Sequence, residues 1–188
     1  MRIAISGTQS TGKTTLAGDL VGSLPNTRME PEPFRVLKER LGLVSGADSM
    51  TPEQEMALIK HAQERLTAFR AGETVVFDRC ALDALAHARV AEDSGNPAFT
   101  PDWIERLKAA ALIALKPLTL VVVVPLSDDL PLVEDGVRSM NPGYREAVDQ
   151  MIRQLAEGLP NVLEVRGGRE ERVQQILERV DPDGLYGS

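Results

Sequence analysis

Apolar residues in this chain follow two alternating patterns. Short unbroken runs suit strands buried on both faces, and between them lie longer stretches whose apolar positions recur at helical spacing. The first run, residues 2–6, predicts a strand, and a helix follows to about Val21. Residues 26–29 form a short, poorly apolar strand candidate leading into Glu30, Pro31, Glu32 and Pro33. Thr51, Pro52, Glu53 and Gln54 read as an N-cap, a proline at the first helical position and a capping-box glutamine. Met56, Ile59, Leu66 and Phe69 continue as a helical stripe down to Gly72.

The run 74–77 is a buried strand ending at Asp78 and Arg79, and Leu82, Leu85, Ala86 and Val90 mark the helix after it. A connector over 94–100 gives way to a helix opened by Thr100, Pro101 and Asp102, with Ile104, Leu107 and Ala111 inward. Residues 118–124 are the most apolar strand. Residues 127–142 are polar, contain Gly136 and show no period, and are read as a mobile lid. Asn141 and Pro142 start a helix with Tyr144, Val148, Met151 and Leu155. A last strand, 162–165, precedes a last helix marked by Val173, Ile176, Leu177 and Val180. Strands alternating with helices predict an α/β fold, a parallel sheet covered on both faces, in one domain over 1–188.

With 188 residues there is material for one well-buried domain but not two. The net charge is −7 and the basic residues are scattered, which argues against a duplex nucleic-acid partner held by phosphate attraction. A small anionic substrate needs only a few local arginines. The longest apolar run, 118–125, is far below spanning length and no leader pattern precedes the first strand, so a cytoplasmic protein with no membrane partner is expected. Cys80 is the single cysteine, and neither His61 nor His87 has a metal-ligand partner at helical spacing. Any metal is therefore expected to be Mg²⁺ arriving with a nucleotide.

Directly after the first strand, Gly7 to Thr14 read GTQSTGKT and fill every fixed place of the phosphate-binding pattern G-x-x-x-x-G-K-[ST]. Gly7 and Gly12 let the backbone curl, so that N–H groups across Thr8, Gln9, Ser10, Thr11, Gly12, Lys13, Thr14 and Thr15 face a phosphate at the next helix's N-terminus. Lys13 supplies charge, and is read as solvent-facing; Thr14 supplies a ligand for Mg²⁺. A bound nucleoside triphosphate, ATP, is the expected cofactor. Such a loop alone fits kinases, GTPases, motor ATPases and transporter subunits. No Asn-Lys-x-Asp occurs to read guanine, and no Asp-Glu pair ends an apolar strand as in motor ATPases. The chain has instead Asp78-Arg79 at one strand end and Glu32-Pro33-Phe34-Arg35 after an earlier one, at the edge where open α/β sheets bind ligands.

These segments resemble the nucleoside and nucleotide kinases, in which Glu-Pro after the second strand and Asp-Arg or Glu-Arg after the third line the acceptor site. The nearer resemblance is to the nicotinamide riboside kinase-like group, which includes the kinase domain of the bacterial NAD-biosynthesis regulator and is often labelled AAA-type ATPase. Asp78-Arg79-Cys80-Ala81-Leu82-Asp83, Asp135-Gly136-Val137-Arg138 and Tyr144-Arg145 all look like that group, with motifs spread from Gly7 to about Arg169. The resemblance implies a three-layer P-loop NTPase fold with a five-stranded parallel sheet in the order 2-3-1-4-5. It makes Glu32 or Asp78 the carboxylate that accepts the acceptor hydroxyl's proton, with Glu32, Arg35, Asp78 and Arg79 about the acceptor. Gly168, in Gly167-Gly168-Arg169 after the last strand, falls where such kinases hold adenine.

Residue chemistry leaves alternatives at each position. Asp78 is favoured as base or water-mediated Mg²⁺ ligand because its strand is the better defined; it is also a good helix N-cap. Glu32 competes with Glu30 and could be an exposed acidic turn. Arg79 sits where a helix dipole disfavours a cation unless an anion compensates, and Asp83 one turn on could make an ordinary surface pair. Arg138 and Arg145 flank the end of the lid and have no evident reason to dock until phosphates supply the opposite charge; there they would neutralise the transferred phosphoryl group. Trp103 and Cys80 read as packing residues, His61 and His87 as surface or boundary ones. The resulting expectation is an ATP-dependent phosphotransferase acting on a small hydroxylated metabolite: a nucleoside, nicotinamide riboside or a mononucleotide. The alternative is an ATP-binding regulatory switch or slow ATPase acting through a protein partner. A kinase needs Glu32, Asp78 and Arg79 converging beside Lys13, whereas a switch needs only the nucleotide half.

Overall fold

In the computed structural model, which describes residues 1–32, 37, 50–69, 72–127 and 141–181, the apolar runs become parallel strands. These are β1 (Arg2–Ser6), β2 (Thr27–Glu30), β3 (Thr74–Asp78), β4 (Leu120–Val123) and β5 (Val162–Glu164). They pair in the order β2-β3-β1-β4-β5, the order the family resemblance implied. Between them run α1 (Lys13–Ser23), α2 (Pro52–Thr67), α3 (Ala81–Asp93), α4 (Pro101–Leu115), α5 (Pro142–Ala156) and α6 (Arg169–Val180).

The continuous apolar runs are explained by cover on both faces. Successive strand side chains point to opposite sides, so Ile3, Ile5, Val76, Leu120 and Val122 pack with Leu16 and Leu20 of α1 and Ile176 of α6. Ala4, Val75, Phe77, Val121 and Val123 face the other way, against Ile59, Leu82, Leu107 and Ile152 of α2 to α5. Ile5 is fully buried, and cutting it to alanine would cost about 2–5 kcal/mol. The helix starts follow their sequence signals. Thr51 N donates to Gln54 Oε1 at 2.8 Å in a capping box, and Thr100 and Asn141 cap α4 and α5.

Register positions the site. Ile5 lies opposite Asp78, Ser6 opposite Val123, and Glu30 opposite Phe77, so the carboxyl ends of β1, β3 and β4 are level and β2 ends just behind them. The loop after β1 leaves from the middle strand, where the strand order reverses, the place at which such sheets open a crevice.

Several boundaries differ from the sequence reading by one or two residues, two of them informatively. The apolar run 118–124 is longer than β4, although Thr119 N to Arg2 O (2.8 Å) and Val124 N to Ser6 O (2.9 Å) continue the ladder past each end. The stripe through Phe69 outruns α2, which stops at Thr67; Phe69 then meets Phe77 edge-on, with centroids 5.4 Å apart. Most of the expected lid, with Arg138, and the segment carrying Arg35 lie outside the described residues. Among the described residues no helix is long and apolar enough to cross a membrane.

Candidate active site

The phosphate-binding loop is held in shape from several sides. Gly7 has φ 153°, and a Cβ there would run into the Val124 carbonyl oxygen, so no other residue fits between the ends of β1 and β4. Gly12, at φ 85°, turns the chain into α1, and Ser10 also adopts a positive φ of 58°. Arg145 donates from Nε to Gln9 O (3.1 Å) and from Nη2 to Ser10 O (3.3 Å), while Arg172 Nη1 reaches Thr11 O at 2.9 Å. Carbonyl and N–H of a peptide point opposite ways, so carbonyls held from outside leave the amides facing inward, ready for an anion.

Lys13 corrects the sequence reading. It is buried, 5% exposed, and its Nζ donates to Thr8 O and, at 3.4 Å, to Thr11 Oγ1. Burial, followed by the charge of Arg79, pulls its pKa down to about 7, although Asp83, Asp78 and Glu32 act in the opposite direction. The ammonium is folded onto the loop instead of reaching into solvent. Arg145 is corrected in the same sense: it docks on loop carbonyls, whose peptide dipoles offer it a partner other than a phosphate.

The carboxylates lie beside the loop. Thr14 Oγ1 donates to Asp78 Oδ2 at 2.6 Å, placing the two oxygens expected to serve Mg²⁺ in contact. Asp78 is 2% exposed and closes β3; it is not the cap of α3. Cys80 occupies the cap position, and Asp83 Oδ2 accepts its N–H at 3.0 Å. Arg79 has φ 68°, a conformation that costs a non-glycine residue about 1–3 kcal/mol and accumulates at functional sites. Its guanidinium donates to Glu32 Oε1 (2.5 Å), Asp83 Oδ1 (3.0 Å) and Gly7 O (3.2 Å). Burial opposes its charge, but Glu32, Asp83 and Asp78 outweigh this and hold its pKa above the ordinary value. The Arg79–Asp83 pair exists, but it is buried and not a surface pair; Glu32 is 18% exposed and not an exposed turn. Glu30 is drawn elsewhere, to Arg28 (3.2 Å) and Arg65 (3.4 Å).

Gly168 caps α6 on the exposed far side of the loop, and its N–H is taken by Glu171 Oε2 at 2.6 Å. Thr15 lies exposed in the first turn of α1. Sequence reasoning missed Arg172, which joins Thr11 O to Gly167 O (2.8 Å) and so ties the α6 entry to the phosphate loop. It also passed over Glu55 and Arg65, charged residues on the buried face of α2, where a charge among Ile59, Ala62 and Leu66 was the available signal. Cys80 is buried, which pushes its thiol pKa up, and Trp103 lies under Arg106, 4.3 Å from its ring centre. His61 lies 3.9 Å from Glu64, and His87 Nδ1 is 2.6 Å from Tyr144 Oη across α3 and α5.

A family model described as AAA domain matches residues 2–172. The chain belongs to that family. Among solved structures, this AAA-family chain is similar to NadR in complex with NR, at 22% identity over 94% of the chain and 50% of NadR, with a TM-score of 0.70. Deoxyadenosine kinase from M. mycoides gives 15% identity, 97% and 100% coverage and a TM-score of 0.70. Thymidylate kinase from Candida albicans gives 15%, 97% and 91%, again at 0.70. The chain spans about half the length of NadR. Likeness at these identities shows the fold, a three-layer P-loop kinase-like α/β domain. No curated protein matches the chain.

Proposed function

We propose that this protein transfers the γ-phosphoryl group of ATP to a hydroxyl of a small metabolite, a nucleoside, nicotinamide riboside or mononucleotide. The observation that carries the reading is the convergence beside the phosphate loop: Asp78 on Thr14, and Arg79 joining Glu32, Asp83 and Gly7 O. A nucleotide switch needs none of the Glu32 and Arg79 half. Further support comes from the kinase-like fold and from solved neighbours described with NR, AMP-PNP and deoxynucleotides.

In this reading the loop amides and the α1 N-terminus hold the β-phosphate, and Lys13 leaves Thr8 O to meet the triphosphate. Thr14 and Asp78 offer the hard oxygen pair that Mg²⁺ takes along with phosphate oxygens and waters, and that ion would neutralise charge on the β- and γ-phosphates. Asp78, or Glu32 once released from Arg79, accepts the acceptor's O–H proton as that oxygen bonds to the γ-phosphorus. The bond from the γ-phosphorus to the β–γ bridging oxygen breaks and ADP leaves. Arg79 fixes the carboxylates, and Arg145, with Arg138 from a 127–142 lid, faces the transferred group. A panel of nucleosides, mononucleotides and nicotinamide riboside, scored for acceptor-dependent ADP release, tests the reading. Release that no acceptor raises above the rate in water would refute it.

A further inference from the structure

The buried face of α2 carries two polar side chains with unmet hydrogen-bonding capacity. Glu55 is 1% exposed and its Oε2 has no hydrogen-bond partner; burial raises its pKa well above the ordinary carboxylate value. Arg65 is 8% exposed, and none of its three guanidinium nitrogens makes a well-aligned hydrogen bond, the nearest acceptor being Glu30 Oε2 at 3.4 Å from Nε. Buried donors left unpaired are costly and uncommon in native proteins, and a guanidinium carries five of them. Arg65 has a 3.4 Å ion contact with Glu30 and the Phe77 ring 5.2 Å away. These account for a positive charge being tolerated there. They leave the donors without well-aligned acceptors.

The position of Arg65 suggests what supplies those acceptors. Phe77 directly precedes Asp78, and Glu30 is Phe77's register partner, so the guanidinium lies at the strand ends that hold the proposed base. We propose that Arg65 is a specificity-determining residue for the acceptor, donating hydrogen bonds to a carbonyl oxygen on the heterocycle of an unphosphorylated nucleoside. The inference rests on the proposed phosphotransfer and narrows its acceptor. Charge balance selects the carbonyl over a phosphate. Arg28, Arg65, Arg79 and Lys13 face Glu30, Glu32, Asp78 and Asp83, so the cationic charge is already matched by carboxylates, and a phosphate dianion would add uncompensated charge where a neutral oxygen would not.

The experiment compares acceptors with and without the carbonyl: inosine with purine riboside, which also lacks the N1–H, and 3-acetylpyridine riboside, which has the carbonyl but no amide N–H, with pyridine riboside, alongside nicotinamide riboside and IMP. Wild-type protein is expected to favour the carbonyl-bearing member by at least ~10-fold in kcat/KM and to favour inosine over IMP. Arg65→Met, which keeps the apolar stem and loses the fork, should bring each pair within about twofold by lowering kcat/KM for the carbonyl-bearing member more than for the other, with Tm unchanged or raised. Arg65→Lys, which keeps the charge, should fall between. An undiminished preference in Arg65→Met, equal loss on both members of a pair, or an Arg65-dependent preference for IMP would each overturn the assignment. If the wild type phosphorylates other members of the nucleoside and mononucleotide panel but none of these acceptors, the assignment of Arg65 fails alone; if it phosphorylates no member of that panel, the phosphotransfer reading fails first and takes this inference with it.

Discussion

The phosphate loop and the acceptor end sit side by side at the carboxyl edge of the sheet, yet they are finished to different degrees. In the loop the carbonyls of Thr8, Gln9, Ser10 and Thr11 all accept from cationic side chains, and positive φ at Ser10 and Gly12 sets the curl. At the proposed acceptor end Arg79 reaches three acceptors, but Arg65 and Glu55 retain buried groups without a well-aligned partner. The first region is braced on each of these carbonyls in the curl that the proposed phosphate site requires. The second holds polar capacity that is costly in the free protein, the arrangement expected where stability is given up for recognition.

The largest effects should come from the shared edge of the two regions. Lys13→Met removes the one charge the loop can turn from its own carbonyl to a phosphate, and turnover should fall by about 10²–10³-fold. Because that charge is buried in the free protein, unfolding experiments should show Tm unchanged or raised; normal turnover would mean the phosphates sit elsewhere. Asp78→Asn keeps the size and a hydrogen bond to Thr14 but loses the base, so turnover should drop ~10²-fold with ATP still bound in calorimetry. If Asp78→Asn turns over nearly normally and Glu32→Gln is inactive, the proton acceptor is Glu32.

The same contrast explains how much could be read without coordinates. The loop was legible because its determinants are local: Gly7, Gly12, Lys13 and Thr14 lie within one turn and its helix start. The sheet was legible because β1, β3 and β4 are buried on both faces and α2, α4 and α5 open on their own side-chain caps. The acceptor end depends on contacts 47 and 72 positions apart, Arg79 with Glu32 and with Gly7, so single residues such as Glu30 and Glu32 stayed interchangeable in the sequence. Lys13 was misread as solvent-facing because side-chain burial is a tertiary property that the motif does not encode. Arg172 was missed for a similar reason: its contact with Thr11 spans 161 positions.

A pH series sharpens the comparison at Lys13. Its folded pKa, about 7, lies below the ordinary lysine value of 10.5, so between those limits the free protein holds this site largely neutral while the unfolded chain holds it protonated. The unfolded state therefore binds more protons, and this group's contribution to stability rises with pH through the window and is lost as pH falls toward 7. A triphosphate beside the amine favours the charged form, so ATP binding near pH 8 should take up most of one proton, detectable in calorimetry across buffers of different ionisation enthalpy. Affinity should weaken by up to about tenfold per pH unit above 8, and Lys13→Met should lose both effects. Proton uptake that persists in Lys13→Met would assign it to another group.

The smallest effect should come from Arg172, which separates a loop that is pre-shaped from one that its ligand shapes. Arg172 joins Thr11 O to Gly167 O, whereas Arg145 holds Gln9 O and Ser10 O. Arg172→Met removes one of these supports without touching a group proposed to meet the transferred phosphoryl. It should raise the KM for ATP several-fold and leave kcat near normal, because the phosphates can re-form the curl at the cost of ordering it. Arg145→Met should lower kcat more than it raises KM, since that side chain is proposed to face the γ-phosphoryl as well. Equal losses of kcat in the two variants would mean both arginines only brace the loop, and Arg145 would leave the catalytic set.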